Sequence, residues 1–361
     1  MADQPVVSMR VGGQVFTGWL QSEVSRSIES LAGTFSIPTS LIPGQVPGIK
    51  RQDEIQVVVG DEVVITGLVM AAEPFYDDRA CGLNVAGRDR TGDLVTSTAI
   101  HKGGQWRGAK VDRIVRDLAE PFGITVKVEA ELGKALDDFK LAFGESRLDA
   151  IARACKMRGV LPVPDGRGAL LLTKAGTRKA PGEIRRGKNV ISMRGIGTDE
   201  RRHSEYIVYA QGEVGADFDA ARQRKARAVD PEVRRYSPLV IPADGNVTQA
   251  DMQALVEHTA RVRRGHSQGF EYTLEGWLVN GKPWPINARV PVFDDVAGLQ
   301  GDEWLICSTR LSVDLQRGAT TVVVVRPIEA YDSVPLKTRV RHRKADRRYR
   351  GHDDSWLEPH R

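Results

Sequence analysis

The sequence predicts a mainly β fold with an α+β insert: two β-barrel units of similar topology separated by a small α/β segment. Three observations carry this. Residues 1–100 alternate apolar and polar positions without a long helical pattern, residues 101–178 change to a helical period, and short alternating runs return beyond residue 189. A chain of 361 residues is long enough for two or three domains.

In the first unit, Val7, Met9 and Val11 lie on one face and Ser8 and Arg10 on the other. Gly12-Gly13 then supplies a two-residue hairpin turn before Val15 and Phe16. A second run, Ile55, Val57 and Val59, meets Gly60-Asp61-Glu62 and returns through Val63, Val64 and Ile65, and Leu83, Val85 and Gly87 continue the alternation. In the insert, Val111, Ile114, Val115 and Leu118 have i, i+3, i+4, i+7 spacing, closed by Pro121 and Gly123. A strand over 124–128 follows. Ser146 with Asp149 three positions on resembles a capping box at the head of a second helix, and LPVPDGRGALLLT reads as strand, Asp165-Gly166 turn, strand.

Residues 174–189 are polar and glycine-punctuated, which predicts an exposed segment with a linker over 179–189. The second barrel is expected over 190–336, with strands at 205–211, 270–279, 289–293, 304–308 and 320–326. A helix over 248–264, begun by Thr248 and Asp251, should decorate it. Gly60-Asp61-Glu62 and Gly301-Asp302-Glu303, each before an apolar strand, suggest a duplication, although this tripeptide is a common turn and does not decide the matter alone.

Charge is unevenly placed. Residues 337–361 hold nine Lys or Arg against four acids, and the preceding 336 residues balance 43 basic against 43 acidic side chains. A body without net charge is a poor duplex-coating surface, because nonspecific DNA affinity rests on many phosphate neutralisations. The basic residues Arg339, Arg341, Arg343, Lys344, Arg347, Arg348 and Arg350 form a tail expected to be flexible, with partner binding or simple solvation as alternatives. No apolar run approaches the ~18 residues of a membrane span, and the first residues do not read as a secretory signal.

No catalytic, cofactor or metal site can be assembled from the motifs. The seven histidines lack ligand spacing, and Cys81, Cys155 and Cys307 are too scattered for a thiolate site and read as buried thiols. Nucleophile-elbow and phosphate-loop patterns are missing, and Gly195-Ile-Gly197 reads as a turn. The acid pairs Asp77-Asp78, Asp137-Asp138 and Asp294-Asp295 place neighbouring carboxylates on different faces, so none suggests a glycosidase pair by itself.

The order of these parts resembles the baseplate hub family of contractile phages, that of Mu-like phages above all, and more distantly the late-control D proteins and the hub portion of type VI secretion spikes. The matching residues include Ser27-Ile28-Glu29, Phe35-Ser36-Ile37, the run from Gly87 through Arg88-Asp89-Arg90-Thr91-Gly92-Asp93 to Val95, and Glu145 to Ile151. Further matches are Gly60-Asp61, Ile65-Thr66-Gly67, PFGITV at 121–126, Gly159-Val160-Leu161, Arg202 to Tyr209, Asp230 to Tyr236, Gly276-Trp277 and Gly281-Lys282-Pro283-Trp284. The resemblance spans residues 1–335 and leaves the basic tail outside. It implies two tail-tube-like barrels per chain and a homotrimer whose six barrels join a six-fold tail tube to a three-fold central spike. It further implies contacts with other baseplate proteins, DNA passing through without specific binding, no enzymatic activity, no cofactor and no membrane insertion. A virion location after assembly in the host cytoplasm follows. A wall-binding or wall-degrading insert is the rival reading.

Overall fold

The computed structural model describes residues 7–17, 21–41, 48–78, 81–210, 225–243, 248–314 and 318–331. The basic tail residues from Arg339 to Arg350 lie outside the described residues.

Seven strands build the first region: β1 (Val7–Val11), β2 (Gln14–Phe16), β3 (Ser22–Ser27), β4 (Thr34–Ser40), β5 (Glu54–Val59), β6 (Glu62–Tyr76) and β7 (Cys81–Asp89). Gly12 and Gly13 both have positive φ, 55° and 82°, which is the backbone a two-residue turn between right-twisted strands requires. Alternation in the sequence becomes burial. Met9, Val57, Ile65, Ile37 and Val85 face a shared core that also takes in Val24 and Phe35.

The insert comprises α1 (Gly92–Thr96), β8 (Gln105–Ala109), α2 (Val111–Ala119), β9 (Val126–Val128), β10 (Leu136–Lys140), α3 (Arg147–Lys156), β11 (Leu161–Pro164) and β12 (Leu170–Thr173). Ile114, Val115 and Leu118 of α2 pack on Ala150, Ile151 and Cys155 of α3 and on Leu170 and Leu172 of β12. The Ser146 hydroxyl accepts from the Asp149 N–H at 3.0 Å, capping α3. The Asp165–Gly168 turn rests on β6, and Arg167 pairs with Glu62 at 3.1 Å.

Beyond the insert come β13 (Arg178–Lys179), β14 (Ile184–Arg185), β15 (Val190–Gly197), β16 (Glu205–Ala210), β17 (Lys225–Val229), β18 (Pro238–Ala243) and α4 (Gln249–His266). The last elements are β19 (Gln268–Glu275), β20 (Leu278–Val279), β21 (Lys282–Pro283), β22 (Ala288–Asp294), β23 (Leu299–Asp314) and β24 (Gly318–Arg326). Three sequence expectations are corrected here. The segment read as a linker carries β13 and β14, both parallel to β22, and Ile184 is fully buried. The strand at 205–210 and the helix begun by Thr248 belong to a separate layer, in which α4 covers the sheet β17-β16-β18 through Met252, Val256, Tyr206 and Val208. Gly195-Ile-Gly197 lies in β15, not in a turn.

The two expected β units are joined in one sheet. One fourteen-stranded sheet follows the order β15-β19-β24-β23-β3-β4-β7-β6-β5-β1-β2, with β22, β13 and β14 branching from β23. The path keeps two ends, so among the described residues it closes no barrel. The physical reason is the length of β23. Its first half pairs with β22, and its second half, from Ser308 to Val313, would be a bare edge there if β3 did not fill it.

Within this sheet the same wiring occurs twice. In the first half β5, β6, β7, β4 and β3 are neighbours in that order, and in the second β22, β23, β24, β19 and β15. The register can be matched residue by residue. Val69 of β6 and Ile306 of β23 each accept a backbone N–H from a left-handed residue, Gln52 (φ 77°) at 2.8 Å and Asn287 (φ 56°) at 2.9 Å. A bulge follows each of them, and Phe35 and Phe270 sit two strands away in equivalent places. The Gly-Asp-Glu echo does not mark this repeat: Gly60-Asp61 is the β5–β6 turn, whereas Gly301 lies inside β23, after a turn over residues 295–298.

Candidate functional site: the seam and the two faces of the sheet

The seam between the halves is the antiparallel pair β3·β23, in which Ser27 lies opposite Ser308, Ser25 opposite Arg310 and Glu23 opposite Ser312. The Ile28 N–H extends the ladder to the Cys307 carbonyl at 2.9 Å. Beneath it a small core joins all three parts of the chain, with Ile28 from the first half, Val163 from the insert, and Ile286, Leu305 and Cys307 from the second half. A polar clasp closes one end. The Tyr331 hydroxyl donates to Glu29, the Arg326 guanidinium lies 3.9 Å from the same carboxylate, and the His266 ring meets Tyr331 edge-on at 5.0 Å. Burial pushes the Cys307 thiol up to about 12 and raises the Tyr331 phenol, so neither ionises near neutrality.

The sheet has one apolar and one polar face, as an antiparallel sheet with a single covered side requires. Residues directly opposite each other share a face, so the ladder pairs define rows. One row runs from Arg194 through Glu271, Val324 and Ser308 to Ser27. The next joins Thr273, Val322, Arg310, Ser25, Thr34 and Arg88, and a third joins Thr320, Ser312, Glu23, Ser36, Ala86 and Ala71. Most are small or polar, and the charges are mixed. Arg194 pairs with Glu271 at 3.3 Å, and Arg88 with Asp93 at 2.9 Å. A shallow groove of about 430 Å³ crosses the seam on this face, lined by Ser25, Ser27, Thr34, Glu271, Ser308 and Arg310.

The Gly87–Val95 run ties the first half to the insert. Gly67 and Gly87 let neighbouring backbones touch: a Cβ at Gly67 would lie 1.9 Å from the Arg88 carbonyl oxygen, and one at Gly87 2.2 Å from that of Leu68. Asp89 then turns inward, where its carboxylate accepts from the Thr91 N–H at 3.1 Å and from the Thr91 hydroxyl. Burial raises its pKa to about 6, against the opposing pull of those Thr91 bonds and of the Arg26 charge. The Leu31 carbonyl shares the single hydrogen of the Thr91 hydroxyl with Asp89. Gly276-Trp277 and Trp284 flank the β20–β21 hairpin. Trp277 enters the first half's core and donates its indole N–H to the Ser312 carbonyl at 2.8 Å, whereas Trp284 enters the second half's core.

Three of the acids weighed for chemistry make local contacts. Asp294 accepts the N–H groups of Val296 and Ala297, Asp295 pairs with Arg186 at 2.7 Å, and Asp138 lies 3.4 Å from Lys140. Cys155 is buried in the insert core, where desolvation raises its thiol to about 12. Among the described residues no three His, Cys, Asp or Glu side chains gather as metal ligands, and no helix is long and apolar enough to cross a membrane. Arg202 pairs with Asp230 and Glu232 at 2.9 and 2.6 Å; both stretches carry the family resemblance, but their pairing was not legible because the members are about thirty residues apart. The cluster fixes the turn after β17.

Residues 6–89 match the family described as Mu phage baseplate assembly protein GpP-like, N-terminal, and residues 91–174 match baseplate hub protein gp44-like, second domain. The chain is 33% identical to baseplate hub protein gp44 of Escherichia phage Mu over 349 residues, which is 94% of this chain and 92% of that protein. The 43 kDa tail protein of prophage MuSo2 from Shewanella oneidensis superposes with a TM-score of 0.81 at 30% identity, covering 91% of this chain and all of that one. A tail protein from Neisseria meningitidis MC58 shares the fold, with a TM-score of 0.79 at 20% identity over 92% of this chain and all of that one. The chain belongs to the phage baseplate hub protein family, and its place is the tail of a virion.

Proposed function

We propose that this chain is a purely structural hub: three copies close a ring that presents six similar β units, stacks on the tail tube, holds the central spike and lets the genome pass. The observation that carries this reading is the repeat inside the fourteen-stranded sheet, because two like halves in register are what lets a three-fold ring present six-fold contacts. In this reading each half is one tube-like barrel unit, and the ring closes the strand path that a single chain leaves open.

The polar face across the seam is proposed as the conduit lining. Arg88, Arg194 and Arg310 share it with Glu23 and Glu271; Arg88, Arg194 and Glu271 are in ion pairs, and Arg310 and Glu23 lie opposite serines. Such a surface lets DNA slide without the phosphate neutralisation that would hold it. Assembly takes place in the host cytoplasm with tube, spike and other baseplate proteins. The tail from Arg339 to Arg350 docks on an acidic partner, so a chain ending at Leu336 should fold normally yet assemble poorly, and added salt should mimic that defect.

Light scattering of the chain with its tube and spike proteins tests the ring. A trimer is expected, with interfaces on the order of 2,000 Å² or more. A monomer in the presence of both partners, or two or six copies per baseplate, defeats it. The non-enzymatic part is tested separately: purified protein that clears a cell-wall suspension, and loses that effect when an acid pair is neutralised, would overturn it.

A further inference from the structure

The two halves of the sheet differ in one respect that the repeat makes visible. In β23 the stretch after the bulge, Ser308 to Val313, is flanked on one side by β24 and on the other by β3. In β6 the matching stretch, Ala71 to Tyr76, is flanked by β7 alone among the described residues. Among the described residues that edge is exposed and largely apolar, interrupted by Glu73 and Pro74: Tyr76 is 86% exposed, Met70 47% and Phe75 38%. At the other end of the sheet, β15 occupies the place in the second half that β3 occupies in the first. Apart from an isolated bridge between Arg186 and Val190, its only strand neighbour among the described residues is β19, and Ile191 on it is exposed. A long apolar edge left bare is a template for pairing.

We infer that β15 of one copy of this chain pairs antiparallel with the outer half of β6 of the next, repeating between chains the β3·β23 seam found within each chain. The register follows from the seam. Glu23, Val24 and Ser25 correspond to Arg194, Gly195 and Ile196, because each set lies opposite the matched residues of β4 and β19. Ser308 to Val313 correspond to Ala71 to Tyr76. Carrying the pairs Ser312–Glu23, Leu311–Val24 and Arg310–Ser25 across gives Phe75 opposite Arg194, Pro74 opposite Gly195 and Glu73 opposite Ile196.

Side-chain chemistry agrees with this register. Phe75 and Arg194 fall on the polar face, where a guanidinium can lie over a ring. Gly195 gives Pro74 room on the core side, and Pro74, which has no N–H to donate, leaves that rung of the ladder to the flanking residues. The contact is head-to-tail, so it propagates until a rotation closes it. The pairing rests on the strand edges alone, and its closure at three copies rests on the ring proposed above.

Disulfide trapping tests it. In a Cys81→Ser background, Glu73→Cys and Ile196→Cys are combined in the full chain, and Glu73→Cys with Arg194→Cys serves as a register-shifted control. Directly opposite strand residues sit roughly 4.5–5.5 Å apart at Cα, within the span a disulfide bridges. Oxidation of the purified chain and of assembled baseplates should move most of the first variant into dimer and trimer bands on a non-reducing gel, and leave the control largely monomeric. Covalent bands that continue past three or stop at two would keep the edge pairing and refute the trimer. Trimers by light scattering without cross-linking, or equal cross-linking in the control, would overturn the inference and leave the ring intact. An intramolecular cross-link, seen as a faster-moving monomer, would overturn it as well.

Discussion

The two halves of the sheet share a wiring plan and almost no local sequence. Both have a long bent strand, β6 or β23, that changes partners at a bulge, and both fix the bulge with a left-handed residue, Gln52 or Asn287. At matched positions the residues differ sharply. Gly67 stands where the second half has Trp304, and Asp89 where the second half has Pro327. The first half needs the glycine because β7 continues past it toward the insert, pressing the Arg88 carbonyl against β6. In the second half β24 ends at Arg326, and the vacated space holds an indole packed on Phe270 at 5.1 Å. What is kept between the halves is the hydrogen-bond pattern, and what varies is how each half meets its surroundings.

The largest expected effect separates the two cores. Trp277 belongs by sequence to the second half and by packing to the first, so Trp277→Ala should cost about 3–5 kcal/mol, the range for a large buried aromatic. Hydrogen exchange should loosen first in peptides of β1, β5 and β6. Trp284→Ala should cost a similar amount and loosen β22 and β24 instead. If Trp277→Ala loosens only the second half, the hairpin does not staple the halves.

Next comes a pH effect confined to the first half. The Asp89 carboxyl has a folded pKa of about 6, above the ordinary value of 3.8, so between those values the folded state binds more protons than the unfolded one. Stability from this group should therefore be highest below pH 4, fall as pH rises from about 4 to 6, and stay level above. A shift of this size corresponds to about 3 kcal/mol. Denaturant titrations across that window should show the slope in the wild type and lose it in Asp89→Asn. Pro327 at the matched position gives the second half no counterpart.

Gly67→Ala should cost about 1–3 kcal/mol, because its methyl meets backbone rather than a side chain that can swing aside. A thermal midpoint unchanged by this substitution would mean that the β6–β7 crossing is looser than the geometry indicates.

Much of this organisation was legible in the sequence. Alternation located β1, β5, β6 and β7, a helical period located α2 and α3, and side-chain caps at Ser146 and Thr248 marked helix starts. The failures have a common cause, since alternation says which face of a strand is buried and not which strand lies beside it. Tyr206 and Val208 alternate as well in a separate small sheet as they would in a barrel. β13 and β14 are two residues each and rely on β22, so their own residues carry no signal. The seam was not legible: Ser27-Ile28-Glu29 entered only as part of the family resemblance, and its partner residues lie some 280 positions away in β23. The basic tail's role was not legible, for charge alone names no partner.

The smallest effect tests whether the two left-handed residues are equivalent. Gln52 and Asn287 hold the same backbone conformation at the same point of the repeat, yet their side chains do different things. Asn287 accepts from the Gly176 N–H at 3.0 Å and donates to the Lys174 carbonyl at 3.0 Å, pinning the end of the insert against the second half. Replacing Asn287 by Gly keeps the backbone and orphans a buried N–H, so a loss of about 1–3 kcal/mol is expected. For Gln52, which is exposed, Gly relieves a left-handed conformation that costs an ordinary side chain roughly 1–2 kcal/mol. The gain is partly offset by the greater freedom of the unfolded chain, leaving Gln52→Gly near neutral or a few tenths of a kcal/mol stabilising. Chemical denaturation of both variants reads the contrast directly. Equal losses would mean that the side chain at 52 carries an unrecognised contact, and equal gains would mean that the insert is not held through Asn287.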